Sequence, residues 1–115
     1  MNLKAYLEHH CRVMLATFCL THYSVQFYRQ KLDSDTAMEI EIETEYLRAE
    51  ISYGYLVECM WRQGKKKQIL QVLCHELTHV LTEILWTSKS TQRNNEYVTE
   101  HFGRLLYKLY ERRNK

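Results

Sequence analysis

Hydrophobic positions change their period along the chain, and each change marks an element. Leu3, Tyr6, Leu7, His10, Val13, Met14 and Phe18 recur at three- and four-residue intervals. That spacing follows one helix face and predicts an amphipathic helix over residues 3–20. From about Thr21 the period becomes two. "YSVQFYRQ" puts Val25, Phe27 and Tyr23 on one side, as a half-buried strand does. "LDSDT" reads as a turn, because Asp and Ser side chains bond their own backbone in such places. "MEIEIETEY" alternates most clearly, with Met38, Ile40 and Ile42 towards a core and Glu39, Glu41 and Glu43 towards water. "LRAEISY", from Leu47 to Tyr53, predicts a third strand. Short connections between successive strands predict a small antiparallel three-stranded meander.

Gly54 breaks the alternation, and residues 55–63 predict a short helix around Trp61 that Gly64 ends. Two long helices follow, Lys66 to Trp86 and Gln92 to Arg112, with the polar "TSKST" between them as an exposed loop. An N-terminal helix, three strands and two long helices make an α+β domain. The 115 residues hold no proline, no repeat and no low-complexity linker, so residues 1–115 are expected to form a single domain.

The faces of the long helices carry more detail. Leu70, Leu73, Leu77, Val80, Leu81 and Ile84 form the core stripe of the first, while Gln68, His75, Thr78, His79 and Thr82 gather opposite. In the second, Val98, Phe102, Leu105, Leu106 and Leu109 form the apolar stripe. Glu96, Glu100, Gly103 and Tyr107 run in a separate line. A glycine inside a helix costs about 1 kcal/mol relative to alanine, so Gly103 predicts a packing reason. A close approach of the two helices there would bring Glu96 near His75 and His79; a tolerated surface glycine is the alternative.

Composition narrows the classes. Apolar residues make up 45% and charged residues 26%, which is globular rather than disordered. A formal charge of +2 is too small to argue for a nucleic-acid partner, and Lys65, Lys66 and Lys67 read as a solvated turn before a helix. The apolar run Val13–Leu20 is too short for a bilayer, which needs about 20 residues. Glu8, His9 and His10 stand where a signal peptide would be basic, and no cleavage site follows. The expectation is therefore a cytoplasmic protein without a membrane partner. Cys11, Cys19, Cys59 and Cys74 form no CxxC pair, which predicts reduced thiols buried as small hydrophobes. His9, His10 and Cys11 do not make a metal site, because adjacent helical residues point in different directions.

The chemistry concentrates in "LCHELTHVL", residues 73–81. Histidines four apart on a helix lie one turn apart on one side, so His75 and His79 can converge on one ion. Glu76 sits about 100° round from His75 and can reach water on the metal without ligating it. Zinc peptidases use this spacing for that reason. The histidines lie off the apolar stripe, which argues against a core role and leaves a solvated polar face as the alternative.

HELTH followed by "NNEYVTE", an Asn-Glu-x-x-x-acid pattern, resembles the gluzincin branch of the zincin metallopeptidases. That branch includes small enzymes of phages and mobile elements that cleave repressors. The phrase "EYVTEHFGRLL" is similar to the Glu-x-x-Ala-Asn-x-Phe-Ala-x-x-Leu-Leu of the repressor-cleaving group, from which Thr99, Glu100 and Gly103 depart. Roughly residues 38–110 also resemble a small phage-type metallopeptidase domain, in which such strands lead into HELTH and then a short "NE" helix. The resemblance implies a minimal zincin-like fold with one Zn2+ per chain. Glu96 would be the third ligand and Glu100 the acid that holds a ligand histidine. The remaining coordination position would be left to water, with Glu76 as the catalytic base and a protein or peptide as substrate. Iron, manganese or cobalt also suit two histidines and a carboxylate, although the HExxH setting favours zinc. Candidates for stabilising the tetrahedral intermediate are Tyr97, His101, Arg104 and Tyr107. An extended substrate would add to an edge strand, for which residues 47–53 are the candidate. The alternative is a catalytically inactive zincin-like interaction module, favoured by the small size and the weak set of stabilisers. Oligomeric state is left open.

Overall fold

A computed structural model describes residues 1–85 and 92–113, with side chains over 1–83 and 99–113. The expected loop at Thr87–Thr91 and the side chains of Ile84, Glu96, Tyr97 and Val98 lie outside the described residues. Eight elements follow in order: helix α1 (Leu3–Thr17), strand β1 (Ser24–Arg29), strand β2 (Met38–Glu43), a single 3-10 turn (Thr44–Tyr46), strand β3 (Arg48–Tyr53), and helices α2 (Tyr55–Arg62), α3 (Lys66–Leu85) and α4 (Gln92–Arg113). This is the α+β arrangement that the periodicity predicts.

Local chemistry sets the boundaries. The Asn2 side chain accepts from the Ala5 N–H at 2.8 Å and caps α1. That helix stops at Thr17 rather than running to Leu20, and Cys19 turns into the left-handed region at φ 59°. Gly64, at φ +72°, ends the α2 turn as expected, and the Lys65 N–H donates back to Met60 O at 2.9 Å.

The sheet differs from the expected meander. Its order is β1-β3-β2, with β3 parallel to β1 and antiparallel to β2. The connection between β1 and β2 is longer than a tight hairpin allows, so the two strands stand apart and β3 enters between them. Burial agrees with this placing. Ala49, Ile51 and Tyr53 of β3 are all buried, while β1 and glutamate-rich β2 take the edges. Residues 47–53 are therefore central and are not an edge for substrate. The edge beside α3 is β2.

Side-chain alternation is as the sequence reads. Met38 is buried and Ile40 and Ile42 are half-buried, whereas Glu39 and Glu41 are exposed. The apolar sheet face packs on α1 and α3. The core joins Leu7, Met14, Phe27, Ile51, Leu73 and Leu77.

Helix α4 packs on α3 through the line of Gly103 and Tyr107, with the close approach expected at Gly103, and not through the expected apolar stripe. Thr99, Gly103, Tyr107 and Tyr110 are buried, at successive helical turns. Phe102, Leu105 and Leu109, expected as the core stripe, are exposed by 44%, 57% and 44%. Gly103 explains the choice of face. A methyl group added there would lie 3.6 Å from both His75 Cα and Thr78 Oγ1, so the helices meet at backbone distance. Thr78 and Thr82, which the sequence groups with the histidines opposite the core stripe, are consequently buried beneath α4, against the alternative of a solvated polar face.

Candidate metal centre

Burial of Ile69, Leu70, Leu73, Leu77 and Val80 fixes the roll of α3 about its axis. At 3.6 residues per turn that roll turns His75, Glu76 and His79 off the core stripe. All three side chains are partly buried. His75 borders α4, and Glu76 falls on the β2 side of the histidine pair.

The two imidazoles stand together. Their ring centroids are 5.1 Å apart and their planes cross edge to face at 86°. Each turns Nδ1 towards α4. His75 Nδ1 lies 3.9 Å from a Glu100 carboxylate oxygen, longer than a hydrogen bond. His79 Nδ1 lies 3.5 Å from the Thr99 hydroxyl. Thr99 is held in turn at 3.1 Å by Thr82, whose hydroxyl donates to the His79 carbonyl. The two hydroxyls are buried, whereas His79 is partly exposed.

Glu100 has a second contact. Arg104, one turn further along α4, reaches the other carboxylate oxygen at 3.2 Å. Next to His75, the Cys74 thiol points at the Gly103 carbonyl at 3.6 Å, and burial pushes its pKa up to about 12. It is thus a protonated packing group and not a thiolate ligand.

Three grooves among the described residues border His75, and two of them matter to the expected site residues. One, of about 710 Å³, runs between β2 and α3 and is lined by Met38, Ile40, Ile42, Glu76 and His79 among others. The second, of about 470 Å³, runs between α3 and α4 past Gln71, Glu100, Arg104 and Tyr107. The expected stabilisers divide accordingly. Arg104 and Tyr107 line the α3–α4 groove, His101 is exposed and lines neither, and Tyr97 lies outside the described side chains. Burial raises the pKa of Tyr107, which keeps its hydroxyl protonated and able to donate. Among the described residues, none of these candidates lines the β2 groove beside Glu76.

Several contributors are not evident in the sequence as motif residues. Thr99 touches His79, and Thr36, Glu39 and Glu83 line the groove that holds Glu76. The signal for Thr99 is its place in the line with Gly103 and Tyr107, the face that packs on α3. Glu83 follows His79 by one further turn of α3.

The chemistry of the pair suits a metal such as zinc. Metal-binding imidazoles commonly turn their second ring nitrogen to a carboxylate or hydroxyl, and Nδ1 of each ring here faces such a group, at 3.9 Å and 3.5 Å. No group of three or more His, Cys, Asp or Glu side chains able to hold an ion occurs among the described residues, and the expected third member, Glu96, has its side chain outside them. No protein-family model, curated protein or solved structure matches the chain.

Proposed function

We propose that the protein is a zinc-dependent metallopeptidase of zincin type, in which His75, His79 and Glu96 hold the ion and Glu76 is the general base. The observation that carries this reading is the pairing of the His75 and His79 rings beside Glu76, with each Nδ1 turned to α4. With Nδ1 of each ring turned to α4, Nε2 would be the nitrogen that binds the ion. Zinc, when bound, supplies a Lewis acid for a peptide carbonyl and lowers the pKa of water. Glu76 takes a proton from the attacking water and returns it to the departing amine. Glu100 and Thr99 hold the imidazoles in place, and Glu96, on the turn of α4 before Glu100, completes the ligand set. The outer edge of β2, beside α3, offers main-chain groups to an extended substrate.

Glu76→Gln keeps the side-chain shape and removes the base. Peptide hydrolysis should fall by about 10²- to 10⁴-fold while zinc content and melting temperature stay near wild type. Equal cleavage by wild type and Glu76→Gln contradicts the mechanism. The second reading, an inactive zinc-binding interaction module, is favoured by one feature: the β2 groove has none of the expected stabilisers among its described lining residues. Wild type that binds zinc and cleaves no member of a broad peptide library supports that reading instead.

A further inference from the structure

The groove between β2 and α3 is lined by glutamates from both elements. Of the nine described residues lining it, three are glutamates and none is Lys or Arg. Glu39 stands on the β2 wall and Glu83 on α3, and both are exposed. The basic side chains of the strands are engaged elsewhere: Arg48 pairs with Glu43 at 2.9 Å, and Arg29 with Glu58 at 2.9 Å. The lysines of α3 lie at its opposite end. At a rise of about 1.5 Å per residue, Lys67 is roughly 24 Å from Glu83 along the helix, about three screening lengths at physiological salt. Met38, Ile40 and Ile42 line the same groove along β2, on the strand face opposite Glu39. The outer main-chain edge of β2 has no strand partner among the described residues.

We infer that this groove selects an extended peptide segment in which Lys or Arg adjoins an aliphatic residue. The inference rests on the groove being the substrate site of the proposed peptidase. The main chain of such a segment adds to the free edge of β2. Because successive side chains of the added strand alternate between faces, a cation on the outer face meets Glu39, while on the α3 side the aliphatic side chain packs on Ile40 and Ile42 and a cation reaches Glu83. Glu39 and Glu83 are specificity residues in this arrangement and take no part in proton transfer. An acidic peptide would face like charge from both elements, so discrimination comes from repulsion as well as attraction.

Zinc-loaded Glu76→Gln protein allows binding to be measured without turnover. Three fluorescent peptides would be titrated by anisotropy: one with Lys and Arg beside Ile and Val, one with Gln at the basic positions, and one with Glu there. The basic peptide should bind tightest and the acidic one weakest. An exposed ion pair changes affinity by about 1.4- to 5-fold. Adding Glu39→Gln or Glu83→Gln should therefore narrow the basic preference by that factor, and raised salt should narrow it further. Equal binding of the basic and Gln peptides, binding of none of them, or a preference untouched in both variants overturns the inference. Hydrolysis by wild type without basic preference also overturns it and leaves the peptidase reading standing. Basic-selective binding that both carboxylates control, without hydrolysis of any peptide by wild type, upholds the selectivity of the groove and transfers it from the peptidase to the interaction module.

Discussion

Glu100 has to serve two groups at once. One carboxylate oxygen lies 3.9 Å from His75 Nδ1, and the other is 3.2 Å from Arg104. Its contact with the ring is loose in this structure, and an ion on the far nitrogen would strengthen it by making Nδ1–H a better donor. Losing such a partner typically costs 10- to 100-fold in metal affinity. Glu100→Ala is therefore expected to weaken zinc binding by about that factor in a competition titration with a chelator. Unchanged affinity would reduce Glu100 to an exposed partner of Arg104. At this scale the sequence is most informative where spacing alone fixes geometry. His75, Glu76 and His79 sit as the HExxH spacing dictates, on one side of a single helix. Thr99 is different. Its contact with His79 depends on how α4 rolls against α3, to which Gly103 is the one local pointer and against which the aliphatic stripe of α4 argues.

Helix α4 is where the pattern misleads. Phe102, Leu105 and Leu109 keep the spacing of a core stripe, yet the buried line is Thr99, Gly103, Tyr107 and Tyr110. Close backbone approach at Gly103 and the large area of two tyrosines outweigh the aliphatic stripe. The consequence is measurable. Leu105→Gln and Leu109→Gln should each change unfolding free energy by no more than about 0.5 kcal/mol, whereas Leu73→Ala in α3 should cost about 2–5 kcal/mol. Chemical denaturation that finds losses above 2 kcal/mol at Leu105 and Leu109 would mean that this face is covered. The strands show the same division between local and distant information. The alternation of Met38–Glu43 is local, so their inward and outward residues are legible from the sequence. Strand order depends on where the chain after β1 travels, and the eight residues between β1 and β2 allow β3 to enter the middle.

At the scale of the molecule, a sheet of three strands positions one helix, and that helix presents the histidine pair between an edge strand and a second helix. The α+β order follows from periodicity, because each element is long enough to carry its own period. The mixed sheet and the two grooves depend on tertiary packing and come only from the structure. No helix among the described residues is long and apolar enough to cross a membrane. The central claim is that His75 and His79 belong to a zinc centre, and elemental analysis tests it most directly. Protein purified without added metal, and a His79→Ala variant prepared in parallel, would be assayed for zinc per chain. One zinc per wild-type chain and its loss in His79→Ala are the predicted results. Wild type without stoichiometric zinc that also fails to take it up on titration, or zinc fully retained by His79→Ala, would contradict the account.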